Sequence, residues 1–184
     1  MRLTSSKFTG TVAPYVLLSL LSAAPEDFAR GRAIREGAKH LALQGQRNES
    51  GRRPFDPLHL ECLPHLRALD LDRVGPLVAR PRVAALPGLE RVYLQELSGF
   101  EDLAWLVGAT GLTSLTLRYA RLPSIAGVSQ LTALREVQIR CHYTSISDLS
   151  PLLHLPALTR LTVSGCRDPQ TLSALRARGV EVLG

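Results

Sequence analysis

The sequence predicts an α/β solenoid: a horseshoe-like arc with a short parallel sheet on its concave face, an irregular or short-helical convex side, and an N-terminal helical cap. Three observations carry this. One nine-residue phrase occurs five times, as LPHLRALDL from Leu63, LPGLERVYL from Leu86, ATGLTSLTL from Ala109, LTALREVQI from Leu131 and LPALTRLTV from Leu155. The last apolar residue of each copy falls at Leu71, Leu94, Leu117, Ile139 and Val163, in steps of 23, 23, 22 and 24 residues. Each copy closes on an L-x-L alternation, with Val or Ile allowed at either apolar place, which puts two apolar side chains on one face of a strand and the residue between them on the other. Self-similarity at this period marks stacked units that each contribute one short strand.

Residues 1–56 read as an N-terminal helical segment and linker. The apolar run VAPYVLLSLLSAA spans residues 12–24 and is followed by Pro25, Glu26 and Asp27, which suit a helix start because acids sit well at the positive end of the helix dipole. Ile34, Ala38 and Leu41 share a helical face, so the helix is expected to run to about Gln44, with Gly45 ending it. The stretch GQRNESGRRPFDP is polar and rich in breakers, which places the boundary between the two parts at residues 45–56. Arg2, Lys7, the apolar run and Ser22-Ala23-Ala24 also fit a secretory signal. Pro25 would then follow the cleavage point and Pro14 interrupts the run, so capping helices in a cytoplasmic protein are the preferred reading and secretion the alternative. The run falls short of the roughly 20 residues that a membrane-spanning helix needs.

Residues 57–184 form the repeat domain, about five repeats and a shortened last unit. One repeat buries too little apolar surface to offset the entropy of ordering it, so each must stack on its neighbours. At the C-terminus Leu172, Leu175, Val180 and Val182 outline a turn of helix, a stop at Gly179 and a terminal strand, a cap for the last coil.

The phrase resembles the leucine-rich repeat family, whose consensus is L-x-x-L-x-L-x-x-N/C-x-L. The linking half-repeats look like the bacterial internalin-type pattern I-x-D-L-x-P-L-x-x-L. Ile146, Asp148, Leu149, Pro151, Leu152 and Leu155 follow it in order, and Phe100, Asp102, Leu103 and Leu106 follow it in part. The family's Asn or Cys column reads Val74, Leu97, Ala120, His142 and Cys166 here. Only Cys166 conforms, so the turns must satisfy their backbone groups in another way. Trp105 lies in a convex half-repeat, where packing is expected rather than exposure.

Composition narrows the function. The net charge is +6, yet 20 of the 22 basic residues are arginine, and +4 of the charge resides in residues 1–56, leaving +2 for the repeats. That balance argues for a solvated basic face over a nucleic-acid stripe. Cys62, Cys141 and Cys166 form no metal or redox motif and are expected to be free thiols in a reducing compartment, although Cys141 and Cys166 fall on adjacent coils. His59, Cys62 and His65 share helical spacing but have no fourth ligand, and no metal or other cofactor is expected. No phosphate loop, nucleophile elbow or metalloprotease helix is present, so an enzyme is not expected.

Binding is the better reading, because the fold sets residues out in columns. The outward places give Asp70 and Asp72 on the first strand, then Arg91, Tyr93 and Gln95, then Thr116 and Arg118 with Tyr119 next. The fourth strand gives Gln138 and Arg140, and the fifth Arg160 and Thr162. Charge shifts from acidic at Asp70, Asp72 and Glu96 to basic at Arg118, Arg140 and Arg160, and tyrosine beside arginine is common in interface hot spots. The resemblance implies a non-enzymatic protein-interaction module that takes a protein or peptide on the concave sheet. Two alternatives stand beside it: a sensor fragment of a NACHT- or STAND-type signalling ATPase, and, more weakly, nucleic-acid binding through the arginines.

Overall fold

The computed structural model, which describes residues 2–5, 8–11, 39–44, 57–74, 76, 84–97, 99–119, 122–140, 146–166 and 168–184, divides each repeat into a turn and a strand. The strands are β1 (Arg2–Ser5), β2 (Phe8–Thr11), β3 (His40–Gln44), β4 (Ala68–Asp72), β5 (Arg91–Gln95), β6 (Ser114–Arg118), β7 (Glu136–Arg140), β8 (Arg160–Ser164) and β9 (Glu181–Leu183). They form one sheet in the order β2-β1-β3-β4-β5-β6-β7-β8-β9. From β3 to β9 every neighbouring pair is parallel, while β1 pairs antiparallel with both β2 and β3.

Why the template has its spacing is visible in the backbone. The L-x-x-L half is a turn: Leu66 N–H donates to the Leu63 carbonyl, Leu89 to Leu86, Leu112 to Ala109 and Leu134 to Leu131, at 3.0–3.1 Å. Next, two successive N–H groups share one carbonyl of the preceding coil. Glu90 and Arg91 donate to Arg67, Thr113 and Ser114 to Glu90, Arg135 and Glu136 to Thr113, and Thr159 and Arg160 to Arg135. This repeated fork sets the register, so that Leu71, Leu94, Leu117, Ile139 and Val163 lie side by side with their side chains buried. A slip of one residue would turn every one of them outward.

Convex segments are short 3-10 helices at Ala104–Leu106, Ala126–Gln130 and Ser150–His154, after an earlier one at Pro57–Cys62. Each of the three later ones is capped two residues ahead by a side-chain oxygen. Asp102 Oδ1 accepts from Ala104 N–H at 2.8 Å, Ser124 Oγ from Ala126 N–H at 3.1 Å, and Asp148 Oδ1 from Ser150 N–H at 2.8 Å. That is the physical content of the acidic place in the I-x-D-L pattern: an Asx-type turn satisfies a backbone donor at the corner. The missing Asn column is compensated elsewhere. Arg73, Glu96 and Tyr119 take positive φ just after their strands, and their N–H groups reach the last carbonyl of the next strand at 2.9–3.1 Å. Leu97 is a buried core residue, and Val74 and Cys166 pack against the core.

The closing unit is a helix, α1 (Pro169–Ala177), followed by β9. Asp168 caps α1 through Oδ1, which accepts from Thr171 N–H at 3.1 Å, and ties it to the previous coil through Oδ2, which accepts from Leu149 N–H at 2.9 Å. Burial works against the charged form of Asp168. The hydrogen bonds from Leu149 and Thr171 outweigh that and hold the carboxyl below its ordinary value. Because the folded-state pKa is depressed, this stabilisation is present above the unfolded carboxylate range and is lost as pH falls through the folded value. Asp168→Ala is expected to cost about 1–2 kcal/mol at pH 7. Urea unfolding at pH 7 and at pH 3 checks this, because the deficit of the variant should shrink at the lower pH.

Two expectations need correction. Residues 40–44, expected as the end of a helix, form β3, because Leu41 and Leu43 carry the same two-residue alternation as the later strands and pair in register with Leu69 and Leu71. Leu41 is fully buried. Hydrogen bonding to β4, which would otherwise present an open edge, outweighs the helical periodicity of Ile34, Ala38 and Leu41. Second, β1 and β2 form a hairpin-like antiparallel pair in which Ser5 faces Phe8, and Leu3 of β1 faces Leu41. Thr4, Thr9 and Thr11 favour strand there, so the cap over β3 includes β-structure where a helical cap was expected. The helical expectation for residues 12–38, including the run read as a possible signal, and the linker at 45–56 lie outside the described residues.

Candidate functional site

In-register stacking converts the outward places of the strands into three columns. The middle column runs Ala42, Asp70, Tyr93, Thr116, Gln138 and Thr162, and the column nearest the strand ends runs Gln44, Asp72, Gln95, Arg118, Arg140 and Ser164. Most of these side chains from β4 to β8 are half-buried, each sheltered by neighbours about 4.8 Å away on adjacent strands.

A chain of hydrogen bonds joins three strands at their C-terminal ends. Arg73 Nη2 donates to Asp72 Oδ2 at 2.7 Å, and Gln95 Nε2 reaches Asp72 Oδ1 at 3.4 Å. The Tyr93 hydroxyl donates to Gln95 Oε1 and accepts from Arg118 Nη1 at 3.1 Å. The Arg118 guanidinium also stands 5.7 Å from the centroid of the Tyr119 ring, within cation–π range. The bond to Tyr93, and to a lesser degree Tyr119, raises the pKa of Arg118 above its ordinary value, so it remains a fixed cation. On β7, Gln138 oriented with its oxygen toward the guanidinium accepts from Arg140 Nε and Nη2, both at 3.2 Å.

Of the residues singled out from sequence, Asp72, Tyr93, Gln95, Arg118 and Tyr119 therefore belong to one network, and Gln138 and Arg140 to a second beside it. Asp70 bonds to His40 Nε2 at 2.8 Å. Arg160 pairs with Glu181 at 2.8 Å and faces Glu136 at 3.7 Å. Glu181 first and Glu136 second raise its pKa. Thr116 and Thr162 hold the centre of the face, and Arg91 is exposed at its other margin. Tyr119 sits in a left-handed conformation, but Arg73 and Glu96 do so at the equivalent turn, so this belongs to the architecture of the coil. Sequence reading missed His40 and Arg73. The Leu41-Ala42-Leu43 alternation was the available signal for the first, and the place directly after a strand for the second.

Cys166 is disulfide-bonded, which corrects the expectation of free thiols. Its partner is not among the described side chains, and neither are those of His59 and Cys62. Among the described residues no three His, Cys, Asp or Glu side chains converge as a metal site would require, and no helix is long and apolar enough to cross a membrane.

No protein-family model and no curated protein matches the chain. Solved structures do. An internalin (inlF) from Listeria monocytogenes aligns at 23% identity with a TM-score of 0.54, covering 70% of this chain and 37% of its own. An internalin C2 (inlC2) from the same organism aligns at 16% identity with a TM-score of 0.55, covering 91% of this chain and 71% of its own. The chain thus spans little more than a third of the length of the first. At these identities the likeness is one of fold: the chain is a leucine-rich-repeat solenoid of the internalin-like kind.

Proposed function

We propose that the chain is a non-enzymatic interaction module that binds a protein or peptide on the concave face of β4–β8. The observation that carries this is the contiguous polar surface, in which Tyr93, Gln95 and Arg118 are fixed by one another before any partner arrives. Side chains already ordered lose less entropy on binding, and Tyr and Arg are the residue types that dominate interface energetics. The internalin-like fold supports the same reading, as solenoids of this kind are protein-interaction modules.

Capture from the native host's lysate tests it. The wild-type chain would be compared with Thr116→Trp/Thr162→Trp, which fills the centre of the concave face, and with Gln130→Trp on the convex side. A protein captured by the wild type and by Gln130→Trp, and reduced at least about tenfold with the concave variant, is the expected result. Equal capture by the concave variant would move the site off this face.

The disulfide at Cys166 favours an oxidising compartment over the cytoplasm, since glutathione and thioredoxin keep cytosolic thiols reduced. Thiol titration of the denatured, unreduced chain is expected to find one thiol; finding all three would return the chain to a reducing compartment.

A further inference from the structure

Two groups stand out among the described arginines of this solenoid. In the first, the charge is matched by a carboxylate: Arg67 with Glu90, Arg73 with Asp72, and Arg160 with Glu181 and Glu136. In the second, the guanidinium is held in place by neutral groups, as is that of Arg178 by the carbonyls of Leu153 and Leu155. Arg118 is oriented by the Tyr93 hydroxyl and the Tyr119 ring, and Arg140 by the Gln138 carboxamide. Among the described residues no carboxylate lies within ion-pair distance of either one. The two are direct neighbours, since Arg118 of β6 pairs in register with Arg140 of β7. Like charges on neighbouring strands repel each other, and supports that carry no negative charge hold them without neutralising them. The pair is positioned without being neutralised.

Resting on the concave-face reading above, we infer that Arg118 and Arg140 form a carboxylate-binding subsite, and that the partner is a protein segment presenting Asp or Glu side chains to it. In-register places on strands about 4.8 Å apart put the two arginines within reach of acids on one bound segment. Arginine suits this role better than lysine because its planar fork is pre-organised. The fixed supports on each side remove much of the ordering cost that a flexible arginine would bring to binding.

Charge elsewhere on the face selects an acidic peptide over a nucleic acid. The cationic stretch is two strands wide: the same column carries Asp72 and Gln95 on one side and Ser164 on the other. Exposed Glu96 follows Gln95 at the end of β5, beside Arg118. A polyphosphate backbone carries a charge at every nucleotide and would meet those carboxylates, whereas a peptide can place one or two acids at the arginines and neutral residues beyond them. Asp70 and Asp72 at the far end are already engaged by His40 and Arg73, so they leave room for a neutral or weakly basic flank.

Fluorescence anisotropy on the full chain tests the inference with two labelled short peptides, one alternating Glu with Ser and the other Gln with Ser, and with a labelled single-stranded DNA of matched length. The glutamate peptide is expected to bind at least about tenfold more tightly than the glutamine peptide, with the difference shrinking as salt rises. That preference should disappear in Arg118→Gln/Arg140→Gln and return in part in Arg118→Lys/Arg140→Lys, which keeps the charge but loses the fork. Equal affinity for both peptides, no binding of either, or a preference that survives the glutamine variant would overturn the inference. Tighter binding of DNA than of the glutamate peptide would overturn it in favour of a nucleic-acid partner. Failure here is separable from failure of the concave-face reading. If Thr116→Trp/Thr162→Trp abolishes capture while the peptides show no charge preference, the face stands and the acidic assignment falls.

Discussion

Trp105→Ala is expected to destabilise the solenoid by about 3–5 kcal/mol, the range for truncating a large buried aromatic. The ring is 1% exposed and lies edge-on to Phe100, with centroids 6.2 Å apart and planes at 63°. It projects from the 3-10 segment Ala104–Leu106, where the aliphatic side chains of adjacent coils surround it, so its removal leaves a void that a stack of rigid turns cannot collapse to fill. In a solenoid each coil is held by its own contacts and by those to its neighbours, so weakening one coil in the middle also weakens the coupling between the two halves. Against a typical total of about 5–15 kcal/mol, a loss of this size would make unfolding occur at much lower urea and with a shallower transition. Far-UV circular dichroism is the proper readout, because Trp105 is the only tryptophan and its fluorescence disappears with the substitution. Trp105→Phe, which retains the aromatic contact to Phe100, should recover more than half of the loss. A change within about 1 kcal/mol for the alanine variant would mean that the convex side is not a tightly packed layer.

How much of this was legible in the sequence depends on what each residue's role rests on. The strands β4–β8 were, because a two-residue alternation repeated five times leaves only one register that buries Leu69, Val92, Leu115, Val137 and Leu161 together. Trp105 was also placed correctly, since a bulky apolar residue in a convex half-repeat has nowhere to go but inward. β3 was misread because Leu41 fits both a helical face and a strand, and only the presence of β4 beside it decides between them. The hairpin-like pair β1–β2 carries too few residues for periodicity to speak at all. At the candidate site, the outward places were legible one by one as columns. The hydrogen-bonded chain from Asp72 through Gln95 and Tyr93 to Arg118 was not, because it depends on side-chain rotamers across strands separated by 23 residues or more. Nor was the division of the arginines into neutralised and unneutralised groups, which rests on which carboxylate a long side chain reaches.

Gly127→Ala is expected to cost about 3 kcal/mol, at the upper end of what overpacking produces, even though the substitution would ordinarily help by reducing the freedom of the unfolded chain. A Cβ at this position would stand 2.4 Å from Ala104 N, 2.5 Å from the Leu103 carbonyl carbon and 2.7 Å from Ala104 Cα. All three are backbone atoms, so no rotamer change relieves the clash; the 3-10 segment Ala126–Gln130 must separate from Ala104–Leu106. The neighbouring turns are held by the caps at Asp102 and Ser124 and by the buried side chains of Leu103 and Val128, and separation disturbs each of them. Gly179 provides the contrast. Nothing lies within 4 Å of a Cβ there, but its φ is +85°, so Gly179→Ala meets only the conformational penalty of about 1–2 kcal/mol. Urea unfolding of the two variants side by side separates the causes: a loss for Gly127→Ala clearly exceeding that for Gly179→Ala identifies close backbone approach as the constraint. Equal losses would instead show that the convex turns can part at little cost, and that the spacing of the coils is set by the sheet alone.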